Sequence, residues 1–207
     1  MKLIQNTLAG AFLLGLSLPS FAASSLSTIF NSDNGQGGIM FDVVNLGEQL
    51  NISAFDLNLT SGTHAIEVYS ISDTWVGADK TPGAWTLLDT GAVTSSGVDS
   101  PSFFDVNDFI LEANTSTGFY ITTTSGTGIR YTVGSASGSI SAANTDLQIL
   151  EGAGKSYAFG VTIPDRIWNG SIYYGAVSAV PEPSTYALML SGLGLVGFMA
   201  ARRRKQA

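Results

Sequence analysis

Between residues 38 and 177 apolar and polar positions alternate in short bursts, and no stripe with a 3.6-residue period runs through them. Ile66 and Val68 share one phase, and Ile129, Tyr131 and Val133 share another. This pattern predicts strands over 39–44, 49–59, 64–71, 85–94, 108–112, 118–124, 129–134, 146–150, 156–163 and 166–177. Clean alternation leaves one face of a strand wet, which points to antiparallel sheets. Within 49–59 the phase slips. Ile52 and Ala54 share one face, whereas Phe55, Leu57 and Leu59 share the other, so a β-bulge is expected near Ala54. Pro82-Gly83 fits the central positions of a type II turn. Ser125-Gly126-Thr127-Gly128 reads as a hairpin connection, and residues 31–38 as a polar loop. About ten short strands at this spacing predict an all-β fold, an antiparallel β-sandwich of jelly-roll-like topology.

The two ends follow different rules. Residues 1–22 carry Lys2, an apolar stretch over 8–16 and then Pro19 with small residues at Ser20 and Ala22. That order is a secretory signal helix cleaved after Ala22. At the other end, residues 186–201 form an uncharged apolar run, the expected transmembrane helix, followed at once by Arg202, Arg203, Arg204 and Lys205. Just upstream stands Pro181-Glu182-Pro183, where two prolines hold the acid in extended backbone open to another protein's cleft. The organisation expected is a signal peptide (1–22), a β domain (23–178) and a C-terminal tail (179–207).

The tail resembles the PEP-CTERM sorting signal of Gram-negative bacteria: the Pro-Glu-Pro triplet, a short Gly-containing apolar helix and a terminal basic cluster, in that order. The resemblance covers about the last 27 residues. It implies that the chain is a substrate of an exosortase. Pro181, Glu182 and Pro183 would then be recognition residues for that enzyme, and Arg202 to Lys205 the basic flank on the membrane. It further implies passage through the inner membrane, a transient tether by the C-terminal helix, and delivery to the outer surface or matrix, where exopolysaccharide is the expected contact.

Composition sharpens the picture of the domain. Charged residues make up 12%, about half the usual share, so Ser, Thr, Asn and Gly must cover the surface. The formal charge of −7 hides a more acidic middle. Between residues 23 and 180 only Lys80, Arg130, Lys155 and Arg166 face fifteen carboxylates, a formal −11. Such a domain repels phosphate backbones, which sets nucleic acid aside as a partner. Cys is absent and His64 is the single histidine, leaving little with which to bind zinc or copper.

Motifs for chemistry are sparse. No Ser stands between glycines at −2 and +2, and His64, in phase with Ile66, reads as a half-buried strand residue. Gly152-Ala153-Gly154-Lys155-Ser156 lacks the first glycine of a phosphate loop and reads as a turn between strands. Gly192 to Gly197 spells a dinucleotide fingerprint inside the apolar tail, where no strand precedes it. No cofactor is expected, with calcium the one candidate, at Asp33 and Asn34 or at Asp105, Asn107 and Asp108. Trp75 and Trp168 are the candidate sugar-stacking residues, against the alternative that they pack in the core. The function expected is therefore a non-enzymatic surface or matrix protein. An exported hydrolase with a carboxylate pair and a self-associating surface protein are the alternatives.

Overall fold

The computed structural model describes residues 24–177 and 183–204. Fourteen strands come first: β1 (Ser24–Ser27), β2 (Asn34–Gln36), β3 (Gly38–Asn45), β4 (Leu50–Asn58), β5 (Gly62–Ser72), β6 (Thr86–Ser95) and β7 (Pro101–Leu111). Then follow β8 (Ser116–Thr123), β9 (Ile129–Val133), β10 (Ile140–Ala143), β11 (Leu147–Leu150), β12 (Gly152–Lys155), β13 (Thr162–Trp168) and β14 (Gly170–Ala176). A helix, α1 (Pro183–Arg204), ends the described chain.

All strand pairings are antiparallel, as the alternation predicts. One sheet has the order β1-β14-β4-β7. The other runs β2-β9-β13-β12-β3-β8-β5-β6, with β11 and then β10 alongside β3. Because β2 passes into β3 through Gly37 alone, the large sheet curls until its β9–β13–β12 stretch begins and ends on one piece of chain. Four and ten strands in this order depart from the jelly-roll-like arrangement expected. The sheets face each other across a core of Ile52, Phe55, Leu57, Phe104 and Ile172 from the small sheet and Ile39, Phe41, Val68, Phe119 and Ile121 from the large one.

The bulge expected near Ala54 is present. Ile52 pairs with Phe109 and Ala54 with Asp105, so one residue of β4 opposes three of β7. The phase slip thus lets Ile52 and Phe55 both reach the core.

The outer face of the large sheet is covered as well. The connection from β5 to β6 lays Trp75 and Trp85 over Met40, Tyr120, Ala153 and Phe159. Pro82–Ala84 there forms a 3-10 turn, and Gly83 keeps a negative-φ backbone, so the type II turn is not formed. Trp75 N–H and the Thr74 hydroxyl donate to the Asp42 carboxylate at 3.0 and 2.7 Å, fastening the connection to β3. Burial pushes the Asp42 carboxyl above its usual range, outweighing those two hydrogen bonds.

Three further expectations are corrected. Ser125 to Gly128 does not close a hairpin: β8 pairs with β3 and β5, while β9 pairs with β2 and β13. The polar loop over 31–38 contains β2. Gly152 to Lys155 is a buried strand between β3 and β13 and not a turn. Glycine is required there. A Cβ on Gly152 would fall 1.8 Å from the Met40 carbonyl oxygen, and one on Gly154 would fall 2.4 Å from the Tyr131 hydroxyl.

Candidate functional site

The residues the sequence nominates lie in three places. Pro181, Glu182 and Lys205 fall outside the described residues, as does the signal peptide, and Pro183 opens α1. Along α1, Leu188, Leu190, Leu193, Leu195, Val196 and Phe198 are all exposed, at positions that circle the helix. A helix apolar on every side has no solvent face to offer. Among the described residues, however, no helix is long and apolar enough to cross a membrane. The transmembrane span expected over 186–201 is therefore not supported: its sixteen residues fall short of about 20 and include Ser191 and three glycines. Arg202 is exposed, and Arg203 and Arg204 end the helix. The glycines of the dinucleotide-like spelling sit inside α1, away from any strand–helix junction.

The second group is the tryptophans. Trp168 is 1% exposed and stacks on Phe41, centroids 4.4 Å apart and planes at 7°. Trp75 is buried over Met40 and Tyr120. Neither ring has a free face, which removes both as sugar-stacking residues. Phe103, on the outer face of the small sheet, and Tyr157 are exposed. Phe103 is the more open of the two. Phe103 meets Tyr173 edge-on at 5.8 Å, and the Tyr173 hydroxyl donates to Asp56 at 2.7 Å. That hydrogen bond is the main reason the Tyr173 phenol is held above its usual range.

The third group is the Asx pairs. The Asp33 carboxylate accepts from Val133 N–H at 2.9 Å, and the Asn34 side chain accepts from Gly35 N–H at 2.8 Å. Asp108 accepts from the Asn51 amide at 2.9 Å, while Asp105 and Asn107 stand exposed on β7. Of these, Asp33 and Asn34 fasten backbone, as Asx residues in turns do. Among the described residues no group of three or more acidic or histidine side chains is placed to hold a metal ion.

Besides Asp42 and Asp56, two further charges are buried that the sequence did not mark, Glu151 and Lys155. Glu151 accepts from Ser135 N–H at 2.6 Å, Ala136 N–H at 3.0 Å and the Ser135 hydroxyl at 3.0 Å, tying down the turn after β9. Lys155 is fully buried; its Nζ donates to the Gly160 carbonyl at 2.6 Å and to Thr162 Oγ1 at 2.7 Å. Asp79 stands 3.7 Å from that ammonium and accepts from the Thr162 hydroxyl at 2.5 Å. Desolvation lowers the Lys155 ammonium's affinity for its proton more than Asp79 restores it. His64, near the start of β5 and opposite Val93 of β6, lies 2.8 Å through Nε2 from the Thr60 carbonyl oxygen, a structural contact.

Two open clefts lie at the end of the domain where β14 finishes. One of them, of about 470 Å³, is lined by β5, β7 and β8 and by the segments that follow β5 and β7. Asp73 and Glu112, both exposed, stand on its walls. Sequence periodicity missed this cleft because its walls come from two segments, 70–73 and 110–117, that only the fold brings together.

A comparison with curated proteins returned no match. A family model described as the PEP-CTERM protein-sorting motif matches residues 179–205. The chain thus carries at its C-terminus a PEP-CTERM sorting tail, the mark of an exported protein that an exosortase sorts to the cell surface.

Proposed function

We propose that this chain is a non-enzymatic surface or extracellular-matrix protein, handed outward by an exosortase, whose β domain contacts extracellular polysaccharide. The observation that carries the reading is the sorting tail joined to an acidic, hydroxyl-rich sandwich. Its formal −11 excludes anionic polymers from easy approach and leaves neutral or amino-bearing ones. The buried carboxylates Asp42, Asp56 and Glu151 are engaged by protein donors, as anchors of loops and side chains are. Pull-down of the full chain with isolated matrix polysaccharide tests the contact. Retention is expected, and none with or without calcium would end the reading.

Membrane tethering through the apolar surface of α1 before sorting belongs to the same proposal. Fractionation of cells with and without exosortase tests it: the unprocessed chain is expected with the membranes only when the enzyme is missing.

One observation favours a second reading, a carboxylate-pair hydrolase: Asp73 and Glu112 line the same cleft. Both are exposed, and the Glu112 carboxylate already accepts from the Gln49 amide at 2.6 Å. Release of new reducing ends from polysaccharide, abolished by Asp73→Asn, would establish this reading over the first.

A further inference from the structure

The cleft between the sheets differs from the rest of the domain in how its polar groups are used. Along β5 the inward face runs Ile66, Val68, Ser70, Ser72, and along β8 it runs Ile121, Phe119, Thr117. Ser70 lies opposite Phe119 and Ser72 opposite Thr117, so the apolar core turns to hydroxyl within one cross-strand pair. Ile110 of β7 adds apolar surface to the lining, whereas the Ile71 side chain packs on the other face of β5 with the Trp75 cluster.

Elsewhere most polar side chains that face the interior are spent on the protein itself, the Tyr131 hydroxyl and Arg166 Nε being the buried exceptions among the described residues. In the cleft the only lining side chains so bonded are Thr115, to the Glu112 carbonyl at 2.9 Å, and Glu112, to Gln49. The side chains of Ser70, Ser72, Asp73, Asn114 and Thr117 make no hydrogen bond to any described residue. Asp73 and Asn114 both hold left-handed backbone, at φ 74° and 54°, where the walls turn.

We propose that this cleft is the polysaccharide contact itself, and that it holds one sugar unit of a non-anionic saccharide, a chain end or a side branch. The inference rests on the polysaccharide reading above and gives it a place. A sugar ring offers hydroxyls that both donate and accept, which Ser, Thr, Asn and Asp side chains complement, and C–H faces that suit Ile110. The volume of about 470 Å³ lies within the range of small-ligand sites. No Lys or Arg lines the cleft while two carboxylates do, so a uronate or sulfated unit is repelled and a neutral or amino sugar is accepted.

The test uses the full chain in mild detergent and three probes of similar length: a neutral β-glucan oligosaccharide, a glucosamine oligosaccharide and an alginate oligosaccharide. The neutral or the glucosamine probe binds, and alginate does not. Ser72→Ala with Thr117→Val weakens that binding by about tenfold or more, as loss of two hydrogen bonds requires. Phe103→Ala, on the outer face of the small sheet, leaves it unchanged. Should the double variant lose its cooperative melt, Asn114→Ala, at an exposed position, replaces it with the same expectation. Binding indifferent to the cleft variants, or alginate bound as well as the others, overturns the cleft. Retention on long polymer with no oligosaccharide binding also overturns it, while the polysaccharide reading stands. Failure of polymer and oligosaccharide alike overturns both.

Discussion

Lys155 offers the sharpest test of how this fold is held together, because three ways of altering one contact should give three different results. Its ammonium is fully buried beside the Trp85 and Phe159 cluster, donates to Gly160 and Thr162, and faces Asp79 at 3.7 Å. Asp79→Asn removes the one countercharge and leaves the ammonium buried. Breaking a fully buried pair in this way costs about 3–5 kcal/mol. The Asp79 side chain is 22% exposed, so water screens part of the attraction and about 2 kcal/mol is expected. Lys155→Met keeps the volume and removes the desolvation penalty, and it leaves Asp79 with Thr162 and solvent; a change within about 1 kcal/mol is expected. Combining the two should cost no more than Lys155→Met alone, since no buried charge then remains.

The pH dependence has a defined sign. The folded-state pKa of Lys155 lies below its usual 10.5, so as pH rises through the window between the two values the unfolded chain binds more protons and stability rises. Below that window the full penalty of burying the charge is present. Asp79→Asn deepens the depression, so its cost at pH 7 should shrink as pH climbs toward 10. Urea unfolding followed by circular dichroism at pH 7 and pH 9.5 measures all of this. If Lys155→Met proves more destabilising than Asp79→Asn, or if the Asp79→Asn cost is the same at both pH values, the account of Lys155 as a buried, strained charge is refuted.

Other expectations are simpler. Trp168→Ala, which empties the space against Phe41 and Phe55, should cost about 3–5 kcal/mol in the same unfolding assay. Gly152→Ala, forcing a Cβ into the Met40 carbonyl, should cost about 3 kcal/mol or prevent folding, whereas Gly175→Ala, with nothing within 4 Å, should be close to neutral. In cells with exosortase, replacing Pro181 and Glu182 by Ala should leave the chain at its unprocessed mass on an immunoblot, while Trp168→Phe should not alter processing.

What could be read without the fold is whatever the chain encodes locally. Period two marks the half-wet strands β5, β9 and β11, short apolar runs mark β3, β4 and β8, which are buried on both faces for most of their length, and all six stand close to where the pattern puts them. The bulge at Ala54 was legible because a phase slip is visible within eleven residues. The sorting tail was legible because an enzyme must read it as a linear motif. Partnership between distant segments is another matter. β12 has no apolar side chain longer than Ala153, since Met40 and Tyr131 need its glycines to come close, so it carries no hydrophobic signal. β1 pairs with β14 across nearly the whole domain, and Ser125 to Gly128 reverses the chain without saying which strand comes next to which. Trp75 and Trp168 looked available because a sequence cannot tell an inward ring from an outward one. The cleft was invisible for the same reason: Ser70, Ser72 and Thr117 are ordinary polar residues until cross-strand pairing puts them on one wall. Local sequence set the strands and the address, and tertiary pairing alone decided which side chains were left free to meet a ligand.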